Sequence, residues 1–255
     1  MADVDIAGNR LHVQRLGQSG DPVVFLHGLV MDNLSSWYFT VANPVALHRR
    51  VWLYDLRGHG RSGRPATGYR LEDHVAELLG LLDAEGLDRV TLVGHSFGGT
   101  LALAFAQTHP GRVEGLVLLD ALVPDTGWGA RMADTLSLDS DDRNAVIADR
   151  FQAWLGRHSE RKRTKLAENA KALVHGTSLL ADLRASQSWD DWSGLTMPVR
   201  LLQGRDSDVR DQGERLLAQL PNAEVVWADG THSLLWESTE RVRDQLVAWL
   251  AESPA

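Results

Sequence analysis

Six short, largely apolar runs, each ending in glycine, aspartate or histidine, set the tightest limit on what this chain can fold into. They are PVVFLHG (Pro22 to Gly28), VWLYDLRG (Val51 to Gly58), RVTLVGH (Arg89 to His95), GLVLLD (Gly115 to Asp120), MPVRLLQG (Met197 to Gly204) and AEVVWAD (Ala223 to Asp229). Such runs are too short for helices and too apolar for half-exposed strands, so they read as strands covered on both faces. Patterns of helical period separate several of them. LEDHVAELLGLLDAE (71–85) carries Leu71, Val75, Leu78, Leu79 and Leu82 on one stripe and closes at Gly86. FGGTLALAFAQTHP reads as a helix from Phe97 to a stop at Pro110, and further helices are expected near Asp211 to Leu220 and through Leu250. Leu34 to His48 is expected to hold a helix that Pro44 ends or kinks. Strands alternating with helices require right-handed crossovers, hence an α/β fold with a mostly parallel, doubly wound sheet.

The rhythm breaks between residues 123 and 194, where helical periods continue without a strand. This stretch is expected to form a helical cap or lid inserted into a core made of residues 1–122 and 195–255. Trp128, Trp154, Trp189 and Trp192 all fall within it. They suggest an apolar or aromatic substrate portion, or equally the packing of the cap onto the core.

Composition removes several functions. The net charge of −8 argues against nucleic-acid binding, which needs basic clusters, and the one dense basic patch, Arg161 to Lys165, reads as the wet face of a helix. With no cysteine there is no disulfide, thiolate nucleophile or Cys-based metal site, and no His/Asp grouping has metal-ligand spacing. No run approaches the roughly 18 apolar residues of a membrane span, and MADVDIAGNR is unlike a secretory leader. A cytoplasmic protein, monomeric or homodimeric, with a small-molecule substrate and no cofactor, metal, nucleic acid or membrane partner is expected.

Chemistry concentrates at Gly94-His95-Ser96-Phe97-Gly98, a G-x-S-x-G between a strand and a helix. A serine lifted proud of a strand end needs a strained turn, and side chains at 94 and 98 would collide with neighbouring elements. The helix beginning at Phe97 points free N–H groups at the site. Serine needs a base. Of ten histidines, those at 48, 109, 158 and 175 read as surface residues, whereas His232 lies between the last strand and last helix, in the chain order Ser…acid…His. Gly58-x-Gly60-x-x-Gly63 spells a dinucleotide fingerprint, but Arg64-Pro65-Ala66-Thr67-Gly68 follows it as a loop rather than a helix, so a nucleotide site is rejected.

Four ordered motifs together resemble the α/β-hydrolase family over nearly the whole chain: His27-Gly28 after a strand, DLRGHGRS (55–62), GHSFGG and GTHSLLWE. The resemblance implies Ser96 as nucleophile, His232 as base, and the backbone N–H groups of Leu29 and Phe97 as oxyanion hole. It also implies a substrate pocket near His27, Gly28, Trp37 and Trp128, with His27 organising the loop. The acid is less fixed. The family often carries G-x-x-D after the penultimate strand, yet Gly204-Arg205-Asp206-Ser207-Asp208 puts Ser207 at that position. Asp206 is the first choice, Asp120 at the preceding strand the second, and Asp208 the third. The expected activity is cleavage of carboxylic esters through a Ser-His-Asp acyl-enzyme. Alternatives are a thioester or carbon–carbon bond hydrolase, a cofactor-free dioxygenase or lyase, or a ligand-binding protein on the same scaffold.

Overall fold

A computed structural model describes residues 2–137 and 159–252. Trp154 and His158, and much of the middle of the expected cap, lie outside the described residues. Eight strands form one sheet: β1 (Ala2–Ile6), β2 (Asn9–Leu16), β3 (Pro22–Leu26), β4 (Arg50–Tyr54), β5 (Val90–His95), β6 (Val113–Leu119), β7 (Val199–Gly204) and β8 (Ala223–Ala228). Their order is β1-β2-β4-β3-β5-β6-β7-β8. From β4 to β8 every neighbouring pair is parallel, as the six apolar runs predict.

Two antiparallel strands precede them that the sequence reading does not include. β1 and β2 form a hairpin pairing Ile6 with Asn9, and β2 then runs antiparallel to β4. The hairpin turns on Ala7 and Gly8, both at positive φ (50° and 81°), the mirror-image turn that suits strand twist. Ala-Gly is a weak signal for that turn compared with Asn-Gly, which is why the alternation of Val4, Ile6, Leu11 and Val13 passes unremarked.

Helices cover both faces: α1 (Leu71–Ala84), α2 (Phe97–Thr108), α3 (Trp128–Ser137), α4 (Glu160–Gly176), α5 (Leu179–Arg184), α6 (Arg210–Gln219), the short α7 (Leu234–Glu237) and α8 (Thr239–Glu252). α3, α4 and α5 fall between β6 and β7, and the described residues of that interval hold no strand. Arg161, Arg163 and Lys165 are exposed on α4, as the basic patch suggests. The expected helix from Leu34 to His48 is broken into a turn at Ser35–Trp37, a wide π-type turn at Tyr38–Ala42 and a last turn at Asn43–Val45 that contains Pro44. Pro44 lacks the N–H that a regular ladder would use, and the widened turn before it absorbs the mismatch.

The order β4-β3-β5 is what positions the site. The chain leaves β3 toward one side and later returns to pair β5 on its other side, so the loops after β3 and β5 diverge. A crevice opens between them at the carboxyl ends of the strands, the place where ligands bind in open α/β sheets. Both His27-Gly28 and Ser96 stand there.

Candidate active site

Ser96 follows directly on β5 in a conformation that L-residues rarely take, φ 54° and ψ −121°. Its N–H is fixed by Leu119 O at 3.0 Å, and α2 begins at the next residue. Crowding explains the glycines. A Cβ on Gly98 would lie 2.1 Å from Leu26 O, and one on Gly94 would lie 2.4 Å from Gly98 O. Both obstacles are backbone, which cannot swing aside. The strain at Ser96 is thus tolerated because glycine on either side lets the turn be tight.

His232 Nε2 lies 2.9 Å from Ser96 Oγ. Its loop is held by Glu237 of α7, whose carboxylate accepts the Thr231 N–H (2.6 Å) and the Thr231 hydroxyl (3.0 Å). His232 O in turn accepts a hydrogen bond from His95 Nε2 at 3.0 Å.

The turn after β3 is organised by two imidazoles used in the same way. His27 donates from Nδ1 to Gly28 O (2.7 Å) and accepts the Leu56 N–H on Nε2 (2.9 Å). His59 donates from Nδ1 to Arg57 O (2.8 Å) and accepts the Val30 N–H on Nε2 (2.7 Å). Each must therefore be a neutral ring with its proton on Nδ1. Burial pushes His59 down to about 3, so it stays neutral. The Gly28 N–H goes to Asp32 Oδ2 at 2.9 Å. Amides on both sides of Leu29 are thus tied down, while the described hydrogen bonds use neither the Leu29 nor the Phe97 N–H. A Cβ on Gly28 would lie 3.6 Å from Ser96 Cβ, which puts this turn against the serine.

The three aspartates differ sharply. Asp206, the first choice, is exposed, and the bond described for it is made by its backbone N–H to Gly230 O. Asp208 is exposed on the rim of a cavity of about 170 Å3 that is also lined by Leu122, Trp128, Met132, Val209 and Gln212. Asp120 is fully buried at the end of β6, in a left-handed conformation with φ 40°. Its Oδ1 accepts the Gly204 N–H at 3.0 Å, and Oδ2 has no hydrogen-bond partner. Burial pushes this carboxyl up to about 6 despite the opposing pull of Gly204, His95 and Ser207.

Among the expected pocket residues, Gly28 borders the serine and Trp128 lines the cavity just described. His27 and Trp37, expected near the pocket, are both wholly buried: His27 has both ring nitrogens spent on loop backbone, in keeping with a loop-organising residue, and Trp37 packs in the core with its ring 5.1 Å from that of Phe25. His59, His95 and Asp32 are the residues that sequence reading missed. Their weight comes from which backbone groups they reach across the fold, and spacing carries no trace of that. Among the described residues no group of three or more His, Asp or Glu could hold a metal ion.

Comparisons with known proteins place the fold. Residues 21–195 match the family described as the alpha/beta hydrolase fold. A 2-hydroxy-6-oxononadienedioate/2-hydroxy-6-oxononatrienedioate hydrolase from Paraburkholderia xenovorans is 30% identical over 95% of this chain and 91% of its own. A 2-hydroxy-6-oxo-2,4-heptadienoate hydrolase from Pseudomonas putida is 47% identical, but over 41% of this chain and only 38% of that relative's length. Among solved structures, the enol-lactonase from Burkholderia xenovorans superposes with a TM-score of 0.77 at 25% identity, covering 98% of this chain and all of that one. Motif, sheet order and relatives converge: this chain belongs to the alpha/beta hydrolase fold family.

Proposed function

We propose that the protein is a serine hydrolase acting on carboxylic esters, lactones included, of small and partly apolar substrates. The observation that carries this reading is the 2.9 Å contact of Ser96 Oγ with His232 Nε2 beside two backbone amides that the described bonds leave unused. In the proposed reaction Ser96 Oγ attacks the ester carbonyl carbon as His232 Nε2 takes the hydroxyl proton. The oxyanion formed is held by the N–H groups of Leu29 and Phe97, with the amino end of α2 behind them. Collapse expels the alcohol, protonated by His232, and leaves an acyl-enzyme. Water, deprotonated by His232, then releases the acid and restores Ser96.

For the orienting carboxylate the reading moves from Asp206 to Asp120. An acid that fixes an imidazole works best when buried, and Asp206 is exposed. Ser207 supplies the compensating change. It stands three residues after Gly204, where a carboxylate would be expected, and is buried just past the strand next to that of Asp120, whose carboxyl it helps to hold down. On this reading the carboxylate has shifted one strand back along the sheet. Trp128 and the cavity beside it are proposed to take the apolar part of the substrate.

A second reading, cleavage of a carbon–carbon bond next to a ketone, uses the same groups and is supported by the relative from Paraburkholderia xenovorans. Two measurements test these readings. A fluorophosphonate probe should label Ser96 stoichiometrically, and Ser96→Ala should abolish labelling and lower ester turnover by about 10,000-fold or more. Absence of labelling in folded protein overturns the serine-hydrolase reading. Turnover of a 2-hydroxy-6-oxodienoate that exceeds that of every nitrophenyl ester in a graded series selects the second.

A further inference from the structure

We propose that Asp32 and His95 are a positioning pair that locks the loops after β3, β5 and β8 into one catalytic arrangement; the proposal rests on the serine-hydrolase reading. The groups assigned to catalysis sit on separate loops: the Leu29 amide after β3, Ser96 after β5 and His232 after β8. Nothing in the local structure of any one loop fixes its distance from the other two.

A buried chain behind Ser96 supplies that link. It starts at the Gly28 N–H, which donates to Asp32 Oδ2 at 2.9 Å. The same oxygen stands 4.0 Å from His95 Nδ1. His95 Nε2 then donates to the carbonyl of His232 at 3.0 Å. His95 is also covalently next to Ser96, so one side chain bonds the base loop and packs beside the acid of the oxyanion turn, beyond hydrogen-bond distance of it, while its backbone carries the nucleophile. Asp32 is 6% exposed and His95 1%, and the ring of His95 lies 5.3 Å from that of His232 and edge-on to Trp236 at 5.5 Å. The other Asp32 oxygen is committed as well, to the Asn33 N–H at 2.8 Å and to the Ser36 hydroxyl.

The chemistry of the pair suits a brace. Burial would push the Asp32 carboxyl up, but the neighbouring His95 and the Ser36 hydroxyl hold it below the usual carboxylate range. An ionised carboxylate here keeps its grip on the Gly28 amide and on Ser36. The His95 ring is orientated because a carbonyl accepts only from an N–H, so Nε2 must carry a proton. Small displacements matter: a shift of about 1 Å between reacting groups costs on the order of 100-fold in rate. Neither side chain reaches the substrate, so both are positioning residues.

Fluorophosphonate labelling rates and ester kinetics of the full chain test the pair. His95→Ala is expected to label Ser96 to full stoichiometry about 30- to 100-fold more slowly than wild type, with kcat reduced alike and KM within about threefold. His95→Gln keeps a side-chain N–H for the His232 carbonyl and should recover to within about fivefold of wild type. Asp32→Asn should cost about tenfold, and the Asp32→Asn/His95→Ala double variant should be no more than about twofold slower than His95→Ala, because the two act through one linkage. Should His95→Ala fail to fold, His95→Gln and Asp32→Asn carry the test through their rates per labelled site. Wild-type labelling with His95 and Asp32 variants that keep wild-type rates, or whose losses multiply, overturns the pair alone. A wild-type protein that does not label overturns the hydrolase reading and the pair's role with it.

Discussion

The turn after β3 and the loop after β7 flank the same sheet edge and are built on opposite plans. In the turn, residues 27–32, buried imidazoles and a carboxylate bind backbone groups one by one, and the Leu29 amide is what the described bonds leave over. In the loop, residues 205–209, two aspartates are exposed and a buried serine stands between them, while the buried carboxylate, Asp120, comes from the neighbouring strand. The first turn carries its own fixing groups, and the second draws its buried acid from β6. On the proposed reading, the side that holds the oxyanion is braced by side chains reaching its backbone one by one, and the side that orients the base depends on one carboxyl of the next strand.

The largest effect should come from losing that carboxyl. Asp120→Asn is expected to lower kcat by about 1,000-fold, while Asp206→Asn stays within about threefold of wild type, measured on the best nitrophenyl ester at constant fold. The reverse ranking would return the acid to the β7 loop. Next, His59→Ala removes the acceptor for the Val30 N–H and should lower kcat by about 30-fold with little change in KM, since the oxyanion turn loosens without losing a substrate contact. An unchanged kcat would show that the turn holds its shape unaided. Gly28→Ala should be milder. Its methyl would meet Asp32 Oδ2 at 3.2 Å and Ser96 Cβ at 3.6 Å, close but not impossible contacts, so a loss of about fivefold is expected.

The smallest effect is a difference in acid stability, and it separates the two regions by sign. His59 titrates near 3 in the folded protein and near 6.5 unfolded, so the unfolded chain binds more protons between those values. Stability from that side falls as pH drops below 6.5. Asp120 is reversed: its folded value of about 6 lies above the ordinary 3.8, so its burial costs stability above pH 6 and that cost fades as pH falls through the window. In urea melts from pH 7 to 4, Asp120→Asn should steepen the loss of stability toward acid and His59→Gln should flatten it. Equal slopes in both variants would mean that neither group titrates as its surroundings indicate.

Several features were legible from residue order because their causes are local. A G-x-S-x-G between a strand and a helix announces its turn, since the collisions that demand glycine involve backbone within a few residues or on the next strand. Buried strands advertise themselves by being apolar throughout, and the parallel sheet follows from their alternation with helices. The hairpin of β1 and β2 escaped because Ala7-Gly8 is a poor turn signal. Trp37 was misjudged because an aromatic near the site in sequence can face the core, and its side-chain direction is set by the broken helix around Pro44.

By itself, then, the sequence determined the α/β architecture, the strained turn at Ser96 and the histidine that meets it. These depend on periodicity and on chain order, which a linear string preserves. Only the tertiary structure decided which backbone groups His27, His59, Asp32 and His95 reach, and that Asp120 is buried while Asp206 faces water. Burial and long-range hydrogen bonds are properties of which strands lie side by side. Residues 63, 84 and 137 positions apart in the chain become neighbours only when β3, β5, β6, β7 and β8 are laid edge to edge.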